Sequence, residues 1–269
     1  MTSSPSLLFR WMCVALMVCG LAFVSRGEDA SAPSEPVGKG RSFLVGLLDA
    51  ELGLLPEYRG AKVYWLFHDN YLAAKVLKVS HPEVAQTIRA AMEREGVRKS
   101  GKIEVLFGEA ERPLPFRRYE LTDVRRAGSK VLRTEVVTGT AFEGWRQYAD
   151  LLLLACIAEK DPAAAQQNWN DAIAMWDGKG FLDAAAKHSR QYATYKLALA
   201  LIAANRLSPA AKVPDGLIEK LRSAQSESGG WITDYEAGGK GIGLANVETT
   251  CLAILGLEAH LRSATGSPR

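Results

Sequence analysis

Cysteine, histidine and net charge are all scarce in this chain, and each shortage excludes something. The 269 residues hold four cysteines and four histidines. None is spaced as the ligands of a zinc site are, so no metal is expected, and no cofactor either. Lys and Arg number 33 against 30 Asp and Glu, a net charge of +3. That near balance gives no electrostatic footprint for nucleic acid. No apolar run reaches the roughly 20 residues of a membrane-spanning helix. What is present is an ordinary globular composition, 48% hydrophobic and 23% charged, too apolar for wholesale disorder.

The N-terminus has a positive start at Arg10, an apolar run from Trp11 to Val24, then Ser25, Arg26 and Gly27. That order reads as a secretory signal over residues 1–27. An uncleaved N-terminal anchor is the alternative. Leu16, Met17 and Val18 are too bulky for the small-residue site that would lipidate Cys19. Cleavage would remove Arg10 and Arg26 and no acid, leaving a charge of only +1. The mature protein is therefore expected outside the cytoplasm, periplasmic or secreted, with membrane contact only through the N-terminal segment if it is retained. Residues 28–40 are small and polar and read as a flexible leader. Residues 41–263 form the domain, and 264–269 a disordered tail. Cys156 and Cys251 remain, each within an apolar run. A disulfide or two buried thiols would both fit.

Periodicity predicts helices over 42–51, 62–79, 82–95, 143–159, 162–176, 183–204, 214–226 and 245–262. Residues 97–140 alternate apolar and polar and read as a small antiparallel β excursion. The helices at 62–79, 192–204 and 249–257 are apolar on most sides, as the inner members of stacked helical hairpins are.

Leu221-x3-Gln225-x3-Gly229-x-Trp231 has a local logic. Glycine permits the left-handed conformation that ends a helix, the Gln amide can satisfy backbone carbonyls, and the indole packs across the turn. The stretch resembles the QW repeat of the terpenoid cyclase and protein prenyltransferase superfamily. Asn246 to Leu257 resembles the inner helix that follows such a turn there. The resemblance implies a mainly α protein, a partial or complete α/α toroid, an architecture related to six-hairpin glycosidase-like folds. The sequence lacks the Asp-x-Asp-Asp acid motif of the cyclases, the zinc residues of the prenyltransferases and the Gly-Cys-Gly-Glu-Gln thioester. Fold alone does not choose an activity.

Asp69 is the leading chemical candidate, because a carboxylate inside an apolar helix needs either a partner or a cleft. His68 would orient it. Lys196 poses the mirror problem, with Asp69 and Asp150 as candidate partners. Glu248 stands in the first turn of the last helix, where a carboxylate suits the helix dipole. Asp234 and Tyr235 are placed beside it. Paired carboxylates suit acid/base attack on a glycosidic bond, and Tyr195 or Tyr235 could donate a proton in a lyase. Arg112, Arg117, Arg118, Arg125, Arg126, Lys130 and Arg133 concentrate positive charge on the β excursion, and Arg117, Arg118, Arg125 and Arg126 would bind an anionic polymer. Trp65 and Trp231 offer aromatic faces to sugars. Three readings follow. The first is a non-catalytic binding or structural module of the cell envelope, with a polysaccharide or anionic polymer as partner. The second is a glycan-active hydrolase or lyase, and the third an isoprenoid enzyme.

Overall fold

The computed structural model describes residues 34–96, 102–109 and 117–265. The expected signal 1–27, residues 28–33 of the leader and residues 266–269 of the tail lie outside them. Helix α1 spans Glu35–Val45, with a proline in its first turn, and so begins inside the stretch read as leader. Strand β1 (Val63–Trp65) runs into a π-helical turn, Leu66–Asn70, and then into α2 (Tyr71–Val76). Helix α3 is Pro82–Arg94. Strands β2 (Arg117–Ala127) and β3 (Lys130–Ala141) form a long hairpin turning at Gly128. Helices α4 (Ala149–Ala158) and α5 (Pro162–Ile173) follow. Then come β4 (Gln191–Ala193), α6 (Thr194–Arg206), α7 (Leu217–Ser223), β5 (Ile232–Glu236), β6 (Gly241–Ala245) and α8 (Val247–Thr265).

The expectation of a mainly α toroid is wrong. The structure is mixed, 47% helical and 22% strand, with two three-stranded sheets. In the first sheet the order is β1-β3-β2. Here β1 runs parallel to β3 and β2 antiparallel to it. The second is antiparallel, in the order β4-β5-β6. Three local choices account for the difference. Val63-Tyr64-Trp65 is β-branched and aromatic and takes the edge of the first sheet instead of opening a helix. Gln191–Ala193 pairs with Asp234–Glu236, so α6 starts only at Thr194. Conversely, Ile103–Phe107, read as a strand, is a turn of 3-10 helix. Cys156 and Cys251 are both buried and unpaired.

The core is centred on α6 and α8, which pack against each other along small residues. A Cβ on Gly256 of α8 would lie 2.8 Å from the Ala198 carbonyl oxygen of α6. The Gln-Gly-Trp turn closes the other side of α8. The Gln225 amide donates to the Pro36 carbonyl, at 2.8 Å, and to that of Gly229, at 2.7 Å. Trp231 is fully buried. Its indole N–H donates to the Leu221 carbonyl at 2.7 Å and its backbone N–H to Thr250 Oγ1 at 2.9 Å. A Cβ on Gly40 of α1 would stand 2.7 Å from the indole ring, so this turn fixes where α1 crosses.

Gly229 has φ +91°, and a Cβ there would sit 2.6 Å from the Lys39 carbonyl oxygen. Gly229→Ala therefore combines backbone strain with a clash against rigid backbone. It is expected to lower unfolding free energy by about 1–3 kcal/mol in urea melts. An unchanged midpoint would show that the turn does not hold α1 in place.

Candidate functional site

A half-open cavity of about 330 Å³ is lined by Glu57, Trp65, His68, Asp69, Lys102, Ile103, Leu121, Glu135, Asp150, Leu154, Tyr195, Leu199, Asn246, Glu248 and Leu252. Its placement starts at Asn70. That side chain is fully buried, and its amide donates to the carbonyls of Trp65, at 2.7 Å, and Leu55, at 3.1 Å. Its oxygen accepts the Leu55 N–H at 2.7 Å. The π-helical turn is thereby clamped between two other segments, and Asp69 is carried into the wall. Such turns recur at functional sites.

Backbone contacts bring two more acids to the same place. The Glu57 N–H donates to the Val63 carbonyl and the Glu57 carbonyl accepts the Val247 N–H, both at 2.9 Å. Asn246 caps α8 by accepting the Thr249 N–H through Oδ1 at 2.9 Å. Glu248 follows in the first turn of this long helix, where negative charge is favoured.

Asp69 is only 2% exposed, and its Oδ2 has no hydrogen-bond partner. Burial, then the charges of Glu248 and Glu57, drive its carboxyl well above the usual carboxylate range. It is held as a neutral acid where ordinary carboxylates ionise. Glu104 is as buried, with both carboxylate oxygens unpartnered, but it does not line this cavity. What distinguishes Asp69 is the combination of burial and access to the cavity.

Asp150 and Tyr195 of the lining belong to a polar network that continues into the core. Lys196, 3% exposed, reaches Asp183 Oδ2 at 2.5 Å and Asp150 Oδ1 at 3.7 Å, and not Asp69. Asp183 also accepts the N–H groups of Ala149, Ala185 and Ala186. The Tyr195 hydroxyl donates to Asp150 Oδ2 at 3.0 Å. Burial, followed by the Asp150 and Glu248 charges, pushes the Tyr195 phenol up. His68 Nε2 lies 3.1 Å from Glu135 Oε2 in a largely buried pair, and His68 helps hold the Glu135 carboxyl below its ordinary range against burial. Burial, followed by the charges of Asp69 and Glu248, pushes the Cys251 thiol well above its ordinary range, which disfavours the reactive thiolate.

No family model, curated protein or solved structure matches this chain.

Of the residues anticipated from sequence, Asp69, Glu248 and Trp65 meet at the cavity, with Tyr195 and His68. Asp234 lies on β5, away from it. Tyr235 is buried, stacked on Tyr192, and donates to the Lys179 carbonyl at 2.9 Å. Trp231 belongs to the core. The basic residues of the hairpin are largely engaged with acids. Arg125 makes two 2.7 Å bonds to Glu95, and Arg126 and Arg133 both meet Asp123. Lys130 meets Asp49 and Glu51. Arg118 lies over the Phe142 ring and, with Arg117, borders a shallower depression next to the cavity. Arg112 lies outside the described residues. Glu57 and Glu135 were not anticipated. Glu57 stands in a turn with no periodicity, and Glu135 looked like one more polar residue of a strand. No three described His, Cys, Asp or Glu side chains converge to share a metal ion.

The two kinds of buried charge respond oppositely to mutation. Lys196→Met leaves Asp183, whose side chain is fully buried, without its cation. It is expected to destabilise by about 3–5 kcal/mol in chemical denaturation. Asp69→Asn should do the reverse at neutral pH. Its carboxyl titrates near 3.8 in the unfolded chain and well above that when folded, so its stabilising contribution is complete below that value. It is lost as pH rises through the folded value. The stability of Asp69→Asn relative to the parent should therefore increase with pH, by on the order of 1 kcal/mol. A pH-independent difference would mean that Asp69 has a partner.

Proposed function

We propose that the protein hydrolyses glycosidic bonds, with Asp69 as the general acid and Glu248 as the general base. One observation carries this reading. Asp69 is a buried, unpartnered carboxyl kept protonated in the wall of a cavity that also presents ionisable acids. Acid/base cleavage of an acetal needs one carboxyl that holds a proton to give and a second carboxyl at the same cavity. Asp69 would give its proton to the leaving glycosidic oxygen. Glu248 would take a proton from the water attacking the anomeric carbon, leaving two sugar hydroxyls and the exchanged proton pair in balance. Trp65 supplies an aromatic face for a sugar ring.

Elimination on a uronic acid fits less well. The Tyr195 hydroxyl is committed to Asp150, its ionisation is opposed, and the cavity acids would repel the substrate carboxylate. The envelope-binding reading loses its strongest support, because Arg125 and Arg126 already face acids of the same chain. An isoprenoid diphosphate fits less well, because the carboxyl groups of the lining outnumber Lys102.

The test is a screen on natural oligosaccharides beside aryl glycosides with good leaving groups. Asp69→Asn is expected to slow the natural substrates by about 10²–10⁴-fold. It should affect the activated aryl glycosides far less, because they need no proton. It should also remove the loss of rate at high pH that titration of Asp69 imposes. Equal losses on both substrate classes would sink the general-acid assignment.

A further inference from the structure

The charges on the cavity walls are compensated on one side only. Towards β3 and α6, Glu135 has His68, while Asp150 and Asp183 share Lys196. Lys102, a cation of the lining, also acts on Glu135, lowering its pKa. Towards α8 the position is different. Glu57 and Glu248 line the cavity half-buried, and neither side chain makes an ion pair or hydrogen bond among the described residues. Both line the cavity with Asp69, and the charge of each raises the Asp69 carboxyl. Asp69, nine-tenths buried and with Oδ2 unpartnered, points this cluster into the cavity.

Half-buried carboxylates without a counterion disfavour anions and favour a cation that can donate hydrogen bonds. A shared metal ion does not suit them, since no three His, Cys, Asp or Glu side chains among the described residues are placed to hold one. An organic ammonium does, because it tolerates wider spacing and donates in three directions. We infer that the cavity selects sugars carrying a free, protonated amino group, with Glu57 as the ammonium contact beside Glu248. This specificity rests on the glycan-hydrolysing reading above. Glu57 is the natural contact because Asp69 and Glu248 already have roles, and its backbone is fixed to both β1 and α8.

Binding separates the two ideas. Calorimetry would compare an oligomer of glucosamine with its fully N-acetylated counterpart on the full protein, on Glu57→Gln and on Asp69→Asn. The amine oligomer should bind the parent at least about tenfold more tightly at pH 6. That advantage should vanish once the amine is deprotonated, and should shrink about tenfold in Glu57→Gln. It should persist in Asp69→Asn, which stays uncharged there. Equal or tighter binding of the N-acetylated oligomer to the parent would overturn the inference, whatever the variants do. So would an amine preference untouched by deprotonation. If the preference holds and no oligomer is cleaved, the hydrolase reading fails while the amine site stands. If N-acetylated oligomers alone are bound and cleaved, the amine site fails and the hydrolase reading stands.

Discussion

The position of everything functional in this fold follows from how Asn70 satisfies its side chain. A buried amide must spend its donors and acceptor on nearby backbone. Asn70 does so on Leu55 and Trp65, two segments flanking its own turn. That closure lets a strand pass directly into a helix through a π-helical turn all of whose residues are buried. An ordinary helical turn would rotate the following side chains to a different face. The extra residue per turn leaves Asp69 facing the cavity, with no backbone N–H bonded to Oδ2. The latch thus makes the local geometry stable and the carboxyl next to it unstable as an anion.

The cavity divides into a wall that is electrostatically finished and one that is not. On the finished side, Lys196, Asp183, Asp150 and Tyr195 form a connected network, and a connected network rigidifies what it lines. On the other side, Glu57, Asp69 and Glu248 line the same cavity, and the charges of the two glutamates oppose ionisation of Asp69. Natural cores rarely keep such an arrangement without a reason, because one substitution would remove the repulsion. The proton on Asp69 is the response available within the chain, and it is also what a general acid needs. Stability and chemistry therefore pull against each other at one residue.

The sequence disclosed the parts of this that depend on local chemistry. Gln225, Gly229 and Trp231 announce a turn whose bonds are those expected of an amide, a left-handed glycine and a packed indole. Asp69 and Lys196 announced themselves as charges in apolar runs, although Lys196 turned out to pair with Asp183. The global architecture was not legible, for a physical reason. Short strands such as Val63–Trp65 and Gln191–Ala193 adjoin helices and share their apolar character, so period alone cannot separate them. Whether three residues extend or coil is decided by a distant pairing partner, here Val131–Arg133 and Asp234–Glu236. The same non-local pairing brings Glu135 beside His68 and makes a site residue of an unremarkable strand position.

The hairpin of β2 and β3 has most of its described cations tied to acids of the same chain. Its cations meet Glu95, Asp123, Asp49 and Glu51, which fasten the hairpin to the body and to itself. Its contribution to the cavity comes instead from Leu121 and Glu135, which are register partners across the two strands. Leu121 is 62% exposed, an apolar side chain left at the mouth of a polar cavity. Under the proposed glycan reading, an apolar group there would give the less polar face of a sugar ring something to rest against. Most of the described cations of the hairpin are tied to acids of this chain, while Glu135 of the same strand pair adds a carboxylate to the lining.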